Sequence, residues 1–149
     1  MTAETKTKPI FEPRVREFLA APRYAVIATV NPDNSPQLTE IWYDLRADEL
    51  IFNMAAERQK IRNLTRDPRV SLLVAGVKGE PTWRSLTYVR VEGRAREIAS
   101  GPEGLEDIYR LAVRYDGAET AERAKRDLWS KQERVTYAIA AKRVYVKGL

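Results

Sequence analysis

Between positions 24 and 45, two runs suited to strands flank Asn31-Pro32-Asp33-Asn34-Ser35, an unbroken cluster of turn formers. Proline presets φ, and Asn, Asp and Ser side chains bond to their own backbone, so the chain must reverse direction here. Residues 24–30 are β-branched and apolar, which predicts a strand. The run 36–45 alternates, with Gln37, Thr39, Ile41 and Tyr43 on one face and Leu38, Glu40, Trp42 and Asp44 on the other. Neither face is purely apolar. Such a strand suits a place bordering both a core and a binding surface.

The remaining elements build around that hairpin. Val15, Phe18 and Leu19 recur at helical spacing over 13–21, with Pro22 as a stop. A third strand is expected over 49–54, a largely buried fourth from Val70, a loop over 76–83, and a long fifth strand over 85–98. In the fifth, Arg90, Glu92, Arg94 and Arg96 share a wet face, and Gly93 marks a bulge. Leu105, Ile108, Leu111, Ala112 and Tyr115 form one stripe of a helix opened by Gly101-Pro102, and a charged helix over 118–131 should lie shallowly on the surface. A last strand spans 135–141 and resumes at 144–146 after a basic break. Six short strands with helices outside them predict a mainly β chain with peripheral helices, a small antiparallel barrel. Residues 1–12 read as a loose arm and 13–149 as one domain.

Composition narrows the chemistry. Among 149 residues there is no cysteine and no histidine, so disulfides, thiol catalysis, imidazole acid–base work and Cys/His metal sites are excluded. No nucleophile–base pair can be read, catalytic residues stay unassigned, and no carboxylate metal site is supported. Glu106 and Asp107 look like solvated helix charges. No long apolar run or leader pattern is present, so a soluble, cytoplasmic chain without a membrane span is expected. The formal charge of +5 favours an acidic partner. Nucleic acid ranks last, because acidic and basic residues are interleaved and no basic stripe carries aromatics.

The stretch 56–68 is the one place where charge is badly placed. Ile61 and Leu64 give a small helix its apolar stripe, and Asp67-Pro68 ends it. Ala55 and Ala56 stand where a capping side chain is usual, and Arg58 and Lys60 occupy the positive end of the helix dipole. Uncapped amides plus two cations make a phosphate site. A solvated basic face balanced by Glu57 is the alternative. Gln37 and Asn53 lie on apolar strands and would hydrogen-bond a heterocycle or simply face solvent at an edge, and Trp42, Tyr43, Trp83 and Tyr88 would pack in a core, at a dimer contact or on a flat ring.

The segments Tyr24-Ala-Val-Ile-Ala-Thr-Val, Ser35-Pro-Gln-Leu and Trp42-Tyr43, the run Arg58-x-Lys60-x-Arg62-Asn63-Leu64-x-Arg66-Asp67-Pro68, Val91-Glu92-Gly93-Arg94-Ala95 and Arg143-Val144-Tyr145 resemble the pyridoxamine 5'-phosphate oxidase-like proteins. The similarity is greatest to their deazaflavin (coenzyme F-420) dependent branch. It implies a six-stranded antiparallel split β-barrel of the FMN-binding type, working as a homodimer with cofactor at the subunit interface. It further implies that Arg58 and Lys60 hold the cofactor phosphate, that Gln37 and Thr39 lie beside the ring, and that Asn53 and Ala55 border it at the end of the third strand. Trp83 or Tyr88 of a partner subunit would close the ring pocket. The implied activity is hydride transfer between reduced F-420 and a small organic acceptor, with an FMN flavoprotein or a non-catalytic cofactor carrier as alternatives. Glu40 and Trp42 depart from the family pattern and bear on the acceptor side.

Overall fold

The computed structural model describes residues 10–77 and 85–149. Its first hairpin forms as the turn chemistry requires: the Ser35 amide and hydroxyl both donate to the Asp33 carboxylate, and Asn34 takes the left-handed conformation at φ 66°. This turn joins β1 (Ala25–Val30) to β2 (Pro36–Ile41). Thr29 pairs with Gln37, Ile27 with Thr39 and Ala25 with Ile41. Cross-strand partners share a face. Gln37 and Thr39 therefore lie on the side of β1 that carries the buried Ile27 and Thr29.

The run 36–45 is not one strand. It breaks at Trp42-Tyr43, and Asp44–Arg46 forms a separate short strand, β3, against β4 (Glu49–Ala55). The cause lies in the side chains at the break. Tyr43 is fully buried with its hydroxyl donating to the carbonyls of Leu19 and Ala21, at the end of α1 (Pro13–Ala20). Trp42 stacks on Tyr115, ring centres 5.1 Å apart. The described residues thus form seven strands where six were expected.

After β4 come α2 (Gln59–Arg66), β5 (Arg69–Val77), β6 (Leu86–Ala99), α3 (Gly101–Asp116), α4 (Ala118–Asp127), a 3-10 turn (Trp129–Lys131) and β7 (Arg134–Lys147). The spatial order is β2-β1-β5-β6-β7-β4-β3, every neighbouring pair antiparallel. Because β2 and β3 are consecutive in the chain but at opposite ends of this order, the sheet must curl back on itself. The seam is incomplete. β3 covers β4 only along 49–51, so among the described residues the edge of 52–55 that faces away from β7 and the outer edge of β2 have no strand partner.

The main core fills the barrel with side chains such as Leu19, Ile27, Tyr43, Phe52, Leu72, Val89 and Ile139. Gly93 marks a bulge as expected, with Lys142 the additional residue on β7, so β7 runs through the basic break rather than stopping. A Cβ on Gly93 would stand 2.1 Å from the carbonyl oxygen of Ala140. A smaller core lies under α3 and α4, where Ala121 and Trp129 are buried with Ile108 and Leu111. The second helical segment is therefore anchored more firmly than its charge suggested. Among the described residues no helix is long and apolar enough to cross a membrane.

Candidate functional site

Helix α2 emerges at the end of β4, directly beside the seam. Its N-cap is Arg58, extended at φ −65° and ψ 144°, and no side chain caps it. The eight-residue helix is held by its neutral side: Ile61 and Leu64 join the barrel core, and the fully buried Asn63 reaches the hairpin. Asn63 Nδ2 donates to Thr29 Oγ1 at 3.0 Å and Asn31 Oδ1 at 2.9 Å and lies 3.4 Å from Gln37 Oε1, while Gln59 Nε2 donates to Asn63 Oδ1. These bonds fix α2 against β1 and the hairpin turn, beside Gln37 of β2.

A cleft of about 350 Å³ opens there, lined by Gln37, Thr39, Met54, Arg58, Gln59, Lys60 and Arg134. Lys60 is only 7% exposed and Arg134 only 9%. Neither takes part in an ion pair among the described residues; the polar contact of the Lys60 ammonium is Met54 Sδ at 3.8 Å. Burial pulls Lys60 down to about 8, and the nearby positive charge of Arg58 adds to the fall. Burial likewise lowers Arg134 to about 10, with Arg58 again contributing and Glu57 partly opposing. Leaving buried charges uncompensated costs several kcal/mol per ion. An anion bound in the cleft would offset that cost. Thr39 adds a second unmet demand, because its hydroxyl is buried without a hydrogen-bond partner.

The predicted site residues divide. Gln37, Thr39, Arg58 and Lys60 meet in the one cleft. Ala55, the last residue of β4, is buried at 1% exposure and lines neither cleft. Asn53 borders a second cleft, but its amide is committed: Nδ2 donates to the Gly104 carbonyl at 2.8 Å and to Thr136 Oγ1 at 2.9 Å, and Oδ1 accepts from Arg134 Nε at 2.9 Å. Tyr88 shares the outer face of β6 with Arg90, opposite the buried Val89 and Val91, and lines neither cleft of its own chain. Trp83 lies outside the described residues.

Sequence reasoning passed over Arg134 and Asp107. Asp107 is not a solvated helix charge: it is buried, accepts from Thr136 Oγ1 at 2.8 Å and pairs with Arg46 at 2.9 Å. The second cleft, about 340 Å³, continues from the first through Met54 and Arg134. Tyr24, Glu40, Ile41, Trp42, Ile108 and Trp129 complete it. The seam therefore holds a cationic chamber at α2 and an aromatic one toward α3, with Arg134 in both. Among the described residues no cluster of carboxylates could hold a metal.

A sequence model of the pyridoxamine 5'-phosphate oxidase family matches residues 11–148, and the chain belongs to that family. Among solved structures, the conserved hypothetical protein Rv2991 from Mycobacterium tuberculosis is 30% identical, aligned over 95% of this chain and 89% of that one with a TM-score of 0.75. An F420 reductase is 26% identical over 87% of this chain and 94% of its own, TM-score 0.64. A heme binding protein from Mycobacterium smegmatis shares the fold at 21% identity, with 89% and 52% covered and a TM-score of 0.65.

Proposed function

We propose, from membership of the pyridoxamine 5'-phosphate oxidase family, that the chain is an oxidoreductase binding deazaflavin F-420 in the seam and passing hydride to a small organic acceptor. The observation that carries the reading is the buried Lys60, in no ion pair among the described residues, beside Arg58 at an uncapped helix end. Arg58, Lys60 and the first amides of α2 would hold the phosphate. Gln37 and the orphaned Thr39 hydroxyl would meet polar atoms of the ring. The cofactor supplies the hydride chemistry, which a chain without histidine or cysteine cannot. The protein's own groups bind, orient and exclude water. Likeness to an F420 reductase favours the deazaflavin over FMN. FMN is the second reading, supported by the family match.

The site is completed, on this reading, by a second copy of the chain. Leu38, Leu73 and Tyr145 are 64%, 36% and 38% exposed on the outer sheet face that also carries Tyr88. A homodimer through that face would cover them and bring one protomer's Tyr88 toward its partner's seam. Haem is disfavoured, since no histidine is available as an axial ligand. Titration with F-420 and FMN in parallel tests the proposal. Arg58→Ala and Lys60→Ala should each weaken the preferred cofactor about ten- to a hundredfold, a charge-assisted bond contributing about 1.5–3 kcal/mol. Unchanged curves for both variants would remove the phosphate assignment, and sedimentation as a monomer would remove the dimer.

A further inference from the structure

The aromatic chamber has a construction of its own. Trp42 is held flat by its stack on Tyr115, whose planes differ by 8°. Trp129, 9% exposed, and Ile108 belong to one buried cluster and both line the chamber. About 340 Å³ between apolar walls suits a flat body of one or two rings. Among the described residues Arg134 is the one cation lining it.

That guanidinium is prepared for a ligand. Of its five N–H donors, Nε goes to Asn53 Oδ1 and Nη1 to Gln132 Oε1, both at 2.9 Å, and Nη2 makes a long 3.4 Å contact with the Asn53 carbonyl. Two donors remain, and every acceptor the protein offers is neutral. Its orientation is fixed from behind. Arg134 donates to Asn53, Asn53 to Thr136 and Thr136 to the Asp107 carboxylate, which Arg46 pairs from outside. Each bond in this relay runs in one direction, so Asp107 positions the guanidinium without touching it. Its negative charge is spent on Thr136 and Arg46.

We infer that the aromatic chamber takes a flat, apolar acceptor bearing a carboxylate or comparable anion, seated on Arg134 and separate from the phosphate held at α2. Its service as the acceptor pocket rests on the cofactor reading above; the binding preference does not. Glu40 lines the same chamber and is exposed, which places a carboxylate at the mouth. The anion accordingly enters first, toward Arg134, and Glu40 meets a neutral or donor group at the other end.

The test uses 2-naphthoate and its neutral counterpart 2-naphthalenemethanol, titrated calorimetrically against the full chain. The naphthoate should bind at least tenfold more tightly, Arg134→Gln should abolish the preference, and saturating inorganic phosphate should change naphthoate affinity less than twofold. Gln132→Glu keeps Arg134 but supplies a competing carboxylate, and should reduce the preference even if Arg134→Gln fails to fold. Equal binding of both probes, a preference that survives both substitutions, or displacement of naphthoate by phosphate would overturn the inference. A protein that binds naphthoate in this pattern but neither F-420 nor FMN would remove the cofactor reading alone.

Discussion

Asn63 and Asn53 are both buried beside the seam, and both spend their amide hydrogens inside the protein, yet their surroundings are opposite in kind. The Asn63 amide bonds only neutral side chains, those of Thr29, Asn31 and Gln59, with Gln37 at 3.4 Å, and charge enters only further out, through Arg62 on Gln59. Asn53 joins Arg134, Thr136 and, through it, Asp107, and this network ends on a guanidinium with donors unspent. A network whose buried centre has only neutral partners fixes one element on another. A charged network left open toward a cleft stabilises the fold less and prepares it for a ligand.

The largest effect that separates them should come from Asn63→Ala, which leaves partners on α2 and both hairpin strands unsatisfied. A loss of about 3 kcal/mol is expected, roughly 6–12 °C in melting temperature, with or without ligand. A loss confined to cofactor affinity would break the contrast. Gln132→Glu should act in the other direction, raising the ligand-free melting temperature by roughly 2–4 °C as Arg134 gains a charged acceptor worth about 1 kcal/mol more than a neutral one.

A pH series sharpens the same point at Lys60. Its folded value, about 8, lies below the ordinary lysine value of 10.5, so the unfolded chain binds more protons between the two. The cost of the buried ammonium is fully present below about pH 8 and is relieved as pH rises toward 10.5. Anion affinity moves oppositely and should fall several-fold between pH 7 and 9.5. Lys60→Met should remove this residue's contribution to both trends, measured by thermal melts and titration at matched pH. The smallest effect belongs outside the seam. Arg96 pairs with Glu49 at the surface, and Arg96→Ala should cost under about 1 kcal/mol in chemical denaturation.

How far the sequence foretold this arrangement depended on how local each cause was. The hairpin, the proline-terminated α2 and the Gly93 bulge rest on residues adjacent in the chain, and all were legible. The break at Trp42-Tyr43 was not, since it answers to Tyr115 and to the end of α1, partners 72 and 24 positions away for Tyr43. Arg134 meets Asn53 across 81 positions, and no local pattern announces such a contact. Asp107 left a usable trace. It sits with Gly104, Ile108 and Leu111 on the buried stripe of α3, where helical spacing places it beside the apolar residues rather than among the solvated charges. The joining of Gln37, Thr39, Arg58 and Lys60 in one cleft was anticipated only through family resemblance, because it requires the two ends of the sheet to meet.

Gly104 brings α3 so close to β7 that a Cβ there would stand 2.2 Å from the Arg134 carbonyl oxygen. The helix that rests on this point also carries Asp107, Ile108 and Tyr115, hence the relay, one wall of the aromatic chamber and the support under Trp42. The close approach at Gly104 sets the spacing of α3 from β7, while the bonds of Asp107, Arg114 and Tyr115 hold the rest of the helix in place. The chamber's breadth cannot be adjusted freely by the residues that line it: a methyl group at position 104 would tilt the whole wall, and attempts to admit a bulkier acceptor would meet a coarse mechanical control there before any fine chemical one.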